Sequence, residues 1–157
     1  MTTTLRPITP QDMGFLYRVY ASTREAEMAV VDWTIAQKEA FLQMQFNAQH
    51  THYQQHFGDA SLNLILLDGE PIGRLYLHHR EDEIRIIDIA LLTQHRSQGI
   101  GSALLRDILD KATQADLPVR IHVERNNPAL ALYHRLGFRE IGDEGVYCLM
   151  EWKPEKS

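Results

Sequence analysis

Ile84-Arg85-Ile86-Ile87-Asp88-Ile89-Ala90-Leu91-Leu92, then Thr93-Gln94-His95, then Arg96-Ser97-Gln98-Gly99-Ile100-Gly101-Ser102: the reading of this stretch decides the fold. Its first nine residues are the longest strand-like run in the chain and are rich in isoleucine. A short polar turn follows, and then the apolar period changes. Ile100, Ala103, Leu104, Ile108 and Leu109 recur at helical spacing. A strand running into a helix N-terminus leaves several backbone N–H groups without intrahelical partners, at the positive end of the helix dipole. Glycines at 99 and 101 remove the Cβ atoms that would hold a phosphate away, and Arg96 adds a positive charge nearby. Residues 96–101 are therefore a candidate pyrophosphate cradle. The Ser102 hydroxyl is a further donor there, or else an ordinary solvated first-turn serine. A Gly-x-Gly by itself is a weak signal and reads first as a plain strand–helix turn. Two rival phosphate motifs fail: a dinucleotide loop needs a glycine where Leu104 stands, and a P-loop needs Gly-Lys-Ser/Thr.

Working outward, Leu62–Leu67 and Ile72–Leu77 read as strands joined through Asp68-Gly69-Glu70, a hairpin signal. Leu5–Ile8 reads as a first strand ending before Pro10. Gln11-Asp12 opens a helix with Phe15, Leu16, Val19 and Tyr20 on one stripe, and a second helix runs from about Thr34 to about Tyr53. On the C-terminal side, Val119–Val123 reads as a strand after Pro118. Asn127-Pro128 opens a helix that Gly137 ends, and Gly145–Trp152 reads as the last strand. The predicted order is β-α-α-β-β-β-α-β-α-β-β. That describes one α/β (α+β) domain, residues 1–157 with a core of about 5–152, in which helices flank a mixed sheet.

Bulk properties exclude several classes. The chain has 157 residues, 44% hydrophobic and 24% charged, the composition of an ordinary globular domain. Its formal charge of -5 makes it a poor partner for nucleic acid, which calls for a basic patch. No apolar run reaches the roughly 18 residues of a membrane span. The start, Met1-Thr2-Thr3-Thr4-Leu5-Arg6-Pro7, lacks the apolar segment of a signal peptide. Cys148, the one cysteine, has no partner for an internal disulfide. A cytoplasmic location is the expectation.

Two linked signatures carry a family resemblance. Arg96-x-x-Gly99-x-Gly101 after an apolar strand, followed by Ser102-Ala103-Leu104-Leu105, resembles the acetyl-CoA motif of the GNAT family of N-acetyltransferases. Asn127-Pro128-Ala129-x-x-Leu132-Tyr133-x-x-Leu136-Gly137-Phe138 resembles the family's second signature, and Ile121-x-Val123-x-x-x-Asn127 keeps the spacing between them. The resemblance covers about residues 5–152. It implies transfer of an acetyl group from acetyl-CoA to a primary amine, on a small molecule or a peptide, by direct attack in a ternary complex without a metal. Two alternatives stand beside it: a non-catalytic acyl-CoA sensor module, and a transferase for another acyl-CoA. Retention of Tyr133 speaks for catalysis. Self-association is common in such proteins, so a homodimer is a further implication.

The resemblance also assigns roles. The backbone of Ile89, Ala90 and Leu91 would pair with the pantetheine arm as another strand would, with an N–H near Leu91 polarising the thioester carbonyl. The amides of Arg96, Ser97, Gln98, Gly99, Ile100 and Gly101 would surround the pyrophosphate. Asn127, or Asn126 if the loop shifts by one, would touch the arm near the thioester, the other asparagine capping the next helix. Tyr133 would protonate the leaving thiolate. For the general base, some relatives use a glutamate on the fourth strand, where Arg85 stands and cannot serve. Others use one on the fifth strand, where His122 stands, and an imidazole suits neutral pH. Asp88, Glu124 and a water chain are the remaining candidates. No triad surrounds Cys148, which argues against a covalent cysteine route. Family members acetylate protein N-termini, lysines, polyamines, amino acids and antibiotics, and the fold does not choose among them. The first two helices and their loop, with Glu27, Trp33 and Phe41, are expected to bear on that choice.

Gln49-His50-Thr51-His52-Tyr53-Gln54-Gln55-His56 places His52 and His56 at i, i+4 on one helix face. A zinc site normally adds a third ligand, and none is nearby in the sequence. A polar, solvated helix without metal is the expectation.

Overall fold

The Asp68-Gly69 turn forms as its residue types demand. Both adopt positive φ, 50° and 86°, which is what a two-residue hairpin connection requires. It joins β2 (Ser61–Leu67) to β3 (Glu70–His79). The computed structural model describes residues 2–155. Its other strands are β1 (Thr3–Pro7), β4 (Ile84–Leu91), β5 (Val119–Glu124), β6 (Arg139–Glu144) and β7 (Tyr147–Trp152). Its helices are α1 (Met13–Thr23), α2 (Glu25–Ala29), α3 (Ile35–His56), α4 (Ile100–Ala115) and α5 (Leu130–Arg135). The seven strands are ordered β1-β2-β3-β4-β5-β7-β6, with β4 and β5 parallel and the β1–β2, β5–β7 and β6–β7 pairs antiparallel. The mixed sheet and element order expected from the sequence hold, with short α2 added between the first two long helices.

The chain packs as two compact units. One comprises residues up to Leu75 together with Ala90–Arg96, the other Tyr76–Ile89 together with Ser97 onward. In the first unit Thr34 caps α3 reciprocally. Its hydroxyl accepts from the Gln37 N–H at 3.1 Å, and its own N–H donates to the Gln37 side chain at 2.9 Å. Leu16, Val19 and Tyr20 of α1 and Leu42 and Phe46 of α3 are buried, and Phe46 takes Tyr17 edge-on at 5.9 Å. Arg6 at the end of β1 grips both carboxylate oxygens of Asp12 at 3.0 and 2.9 Å, fixing the turn into α1. Gly73 on β3 lies so close to the end of β4 that a Cβ there would stand 2.2 Å from the Ala90 carbonyl oxygen.

In the second unit α4 buries one stripe, Ile100, Leu104, Leu105, Ile108, Leu109 and Ala112. On β5, Val119, Ile121 and Val123 are buried while Arg120, His122 and Glu124 take the other face. Cys148 of β7 pairs in register with Val123 and is 1% exposed. Glu83, just before β4, is buried among Arg80, Arg85 and Arg120, at 3.2, 3.0 and 3.7 Å.

Candidate active site

The turn after β4 has the conformation an anion cradle needs. A 3-10 turn at Thr93–His95 leads to Ser97 and Gly99, both left-handed at φ 60° and 82°. Such reversals turn successive N–H groups inward to form a concave nest. Gly99 is the N-cap of α4, and the first N–H accepted within the helix is that of Ala103, 3.0 Å from the Gly99 carbonyl. The N–H groups of Ile100, Gly101 and Ser102 therefore lack intrahelical acceptors. No heavy atom lies within 4 Å of where a Cβ on Gly99 would stand, so the space before the nest is open. Ile100 is buried and anchors the turn, while Ser97, Gln98 and Gly99 are exposed. These residues fit a pyrophosphate group.

Arg96 takes a fastening position within the first unit. Its Nε donates to the Leu91 carbonyl at 2.9 Å and its Nη2 to the Ser22 hydroxyl at 3.3 Å, tying the end of β4 to α1.

The parallel pairing of β4 with β5 is short. Ile84 faces Val119, Arg85 faces Arg120 and Ile86 faces Ile121, and the register stops there, although β4 runs on to Leu91 and β5 to Glu124. Ile89, Ala90 and Leu91 all lie on the part of β4 beyond this pairing, and His122 is the first β5 residue beyond it.

Tyr133, on α5, is 3% exposed and packs edge-on against Phe138 at 5.5 Å. Burial, with the nearby Asp88 carboxylate adding to it, pushes its phenol well above the ordinary value. Strand alternation puts Asp88 with Ile84 and Ile86 on one face of β4 and Arg85 on the other. His122 belongs to the Arg85 face. Arg85 Nη1 donates to His122 Nδ1 at 3.2 Å, and because guanidinium only donates, Nδ1 accepts and Nε2–H faces Glu144 Oε2 at 2.7 Å. Asp88, whose charge acts on Tyr133, and His122 thus lie on opposite faces of these strands. Asn127 accepts the Ala129 N–H at 2.9 Å through Oδ1, just before α5 begins at Leu130, and Asn126 and Asn127 are both exposed.

The first unit holds a pocket among the helices expected to bear on acceptor choice, though not at the three residues picked out for it. It is lined by Tyr17, Ala21, Met28, Ile35, Leu42 and Leu92, with Arg18, Glu25, Lys38 and Glu39 around them. Each helix supplies only a few positions, and their i, i+4 spacing looks like that of any core stripe. Of the residues picked out for acceptor choice, Glu27 pairs with Arg24 at 2.8 Å and Trp33 packs on Phe41 at 5.2 Å; none of the three lines this pocket. On α3, the His52 and His56 rings are 4.3 Å apart beside Tyr53 and Phe57. Among the described residues no group of three His, Cys, Asp or Glu is arranged to hold a metal, and no helix is long and apolar enough to cross a membrane.

Known structures share this architecture. The PaiA N-acetyltransferase of Thermoplasma acidophilum, solved with coenzyme A, superposes with a TM-score of 0.73 at 18% identity, covering 98% of this chain and 99% of that one. An acetyltransferase from Thermus thermophilus gives 0.68 at 21% identity, covering 98% and 97%. Among curated proteins, an N-alpha-acetyltransferase of Sulfurisphaera tokodaii is 36% identical over 59 residues, a match spanning 36% of this chain and about a third (35%) of that protein. The model of the acetyltransferase (GNAT) family matches residues 13–138, and by that match the chain belongs to the GNAT acetyltransferase family.

Proposed function

We propose that the chain transfers an acetyl group from acetyl-CoA to a primary amine by direct attack within a ternary complex. The observation that carries this is the left-handed nest at Ser97 and Gly99, which opens α4 and leaves the N–H groups of Ile100, Gly101 and Ser102 without intrahelical acceptors. Acetyl-CoA supplies an activated acyl group and a thiol that can leave. The nest at residues 97–101, with the first N–H groups of α4, would hold the pyrophosphate. The β4 edge would pair with the pantetheine arm, and the Leu91 N–H would polarise the carbonyl. Asn126 and the Asn127 side-chain N–H₂ are the candidates for contact near the thioester.

Tyr133 holds its proton across the neutral range. A nascent thiolate in the same dry surroundings is also a stronger base than in water, so the proton can pass to it. His122 would accept the proton that the ammonium loses, after its Nδ1 gives up Arg85. Incubation with acetyl-CoA and a panel of primary amines, followed by product mass, tests the reading. An acetylated product with stoichiometric free coenzyme A supports it; coenzyme A binding without any product across the panel would support the sensor alternative.

A further inference from the structure

The pocket of the first unit is an open depression with a volume of about 590 Å³. Small-molecule sites run from roughly 300 to 1,000 Å³. Its base is apolar: Leu42 and Leu92 are 7% and 6% exposed, and Ala21, Met28 and Ile35 continue the surface. Four charged side chains stand around it, two of each sign. They do not neutralise one another. Glu25, Glu39 and Lys38 have no side-chain hydrogen bond or ion pair among the described residues, and Arg18 lies over the Phe15 ring at 5.9 Å. Close by, Arg24 and Glu27 do pair, at 2.8 Å, so opposite charges in this region meet where the backbone lets them. The pocket therefore offers acceptors, a donor and an oily base at once, and its complement is a molecule with an ammonium, a carboxylate and an apolar body.

We infer that the acceptor held in this pocket is a free α-amino acid with an apolar side chain, its ammonium taken by Glu25 or Glu39, its carboxylate by Lys38, and its side chain by the surface around Leu42. This deepens the acetyl-transfer reading and rests on it. Rival acceptors match the lining less well. A polyamine would bring several cations against Lys38 and Arg18 and no anion. A simple alkylamine would leave Lys38 unanswered. A peptide N-terminus carries an uncharged amide where the carboxylate should be. The base of the pocket continues into Thr93 and Gln94, two residues beyond Leu91, so an amine bound there is beside the end of β4 within the same unit.

The test compares L-leucine with isopentylamine, which is the same molecule without its carboxylate, and with leucylglycine and spermidine. Initial rates with acetyl-CoA are measured for each, and each is also titrated calorimetrically into the chain saturated with coenzyme A. Leucine should exceed isopentylamine in kcat/KM by about two- to fivefold, the upper range of an exposed charge contact. Lys38→Met should bring that ratio close to one, and Glu39→Gln should weaken leucine binding. Leucine no better than isopentylamine, or a preference for spermidine or leucylglycine, overturns the inference. If no amine is acetylated, acetyl transfer fails as a reading, and calorimetry still decides the pocket. Leucine binding that exceeds isopentylamine and falls in Lys38→Met supports it; absence of leucine binding overturns it.

Discussion

Tyr133 shows how burial sets the chemistry of one group. The phenol is shut away from water and stands near Asp88, so both burial and charge disfavour its ionised form. In the unfolded chain the same phenol would ionise near pH 10. Above that pH the unfolded state loses the proton first, so native stability falls as pH rises, and below it the group contributes nothing. Tyr133→Phe should therefore remove part of the alkaline loss of stability, seen as a flatter fall of the urea midpoint above pH 10. It should also lower kcat by roughly a hundredfold, the lower range of general-acid contributions, with coenzyme A affinity little changed. A kcat within about twofold of the parent would remove Tyr133 from the acid's role.

At the scale of elements, Gly73 lets β3 lie close against the end of β4. An alanine Cβ would meet the Ala90 carbonyl at 2.2 Å and the Leu91 side chain at 2.9 Å. The backbone of β4 would have to move. Gly73→Ala should destabilise the chain by about 1–3 kcal/mol, the usual cost of overpacking, and should raise the KM for acetyl-CoA. Chemical denaturation and steady-state kinetics check the two effects. The same scale shows what sequence could reveal. The Asp68-Gly69 hairpin, the α4 stripe and the Thr34 start of α3 were legible because each rests on local rules of turn, period and cap. β6 had a place in the predicted order but no residues. Arg139, Glu140, Asp143 and Glu144 make a polar, exposed strand held by pairing with β7, and no pattern within the segment announces it. α2 spans five residues and was hidden for a similar reason. The glycine nest could be read from the motif. The lining of the pocket could not, because it gathers from α1, α2, α3 and the turn after β4.

Across the whole molecule, paired carboxylates set the response to acid. The Arg6 hydrogen bonds hold the Asp12 carboxyl at about 2, against the raising effect of burial. For Glu83 burial pushes upward, but Arg85, Arg120 and Arg80 outweigh it and hold the group below its ordinary range. Unfolded, these groups take up protons near pH 4. As pH falls from about 4 towards 2, the unfolded state binds protons that the native state refuses, and stability is lost. Asp12→Asn should flatten this fall and lower the urea midpoint at pH 7, where the parent's ion pair is complete. Midpoints at pH 7, 4 and 3 for both chains test it; a parallel decline in the two would show that Asp12 has no part in it.

The burial of Cys148 makes the folded chain silent to thiol-reactive dyes. It is the chain's one sulfhydryl, it is 1% exposed, and it lies in register with Val123. Colour developing during turnover then reports coenzyme A alone, without a background from the protein. Once the chain is denatured the same dye should count one equivalent per molecule, so a single reagent serves as a turnover signal in the native state and as a clock for unfolding outside it.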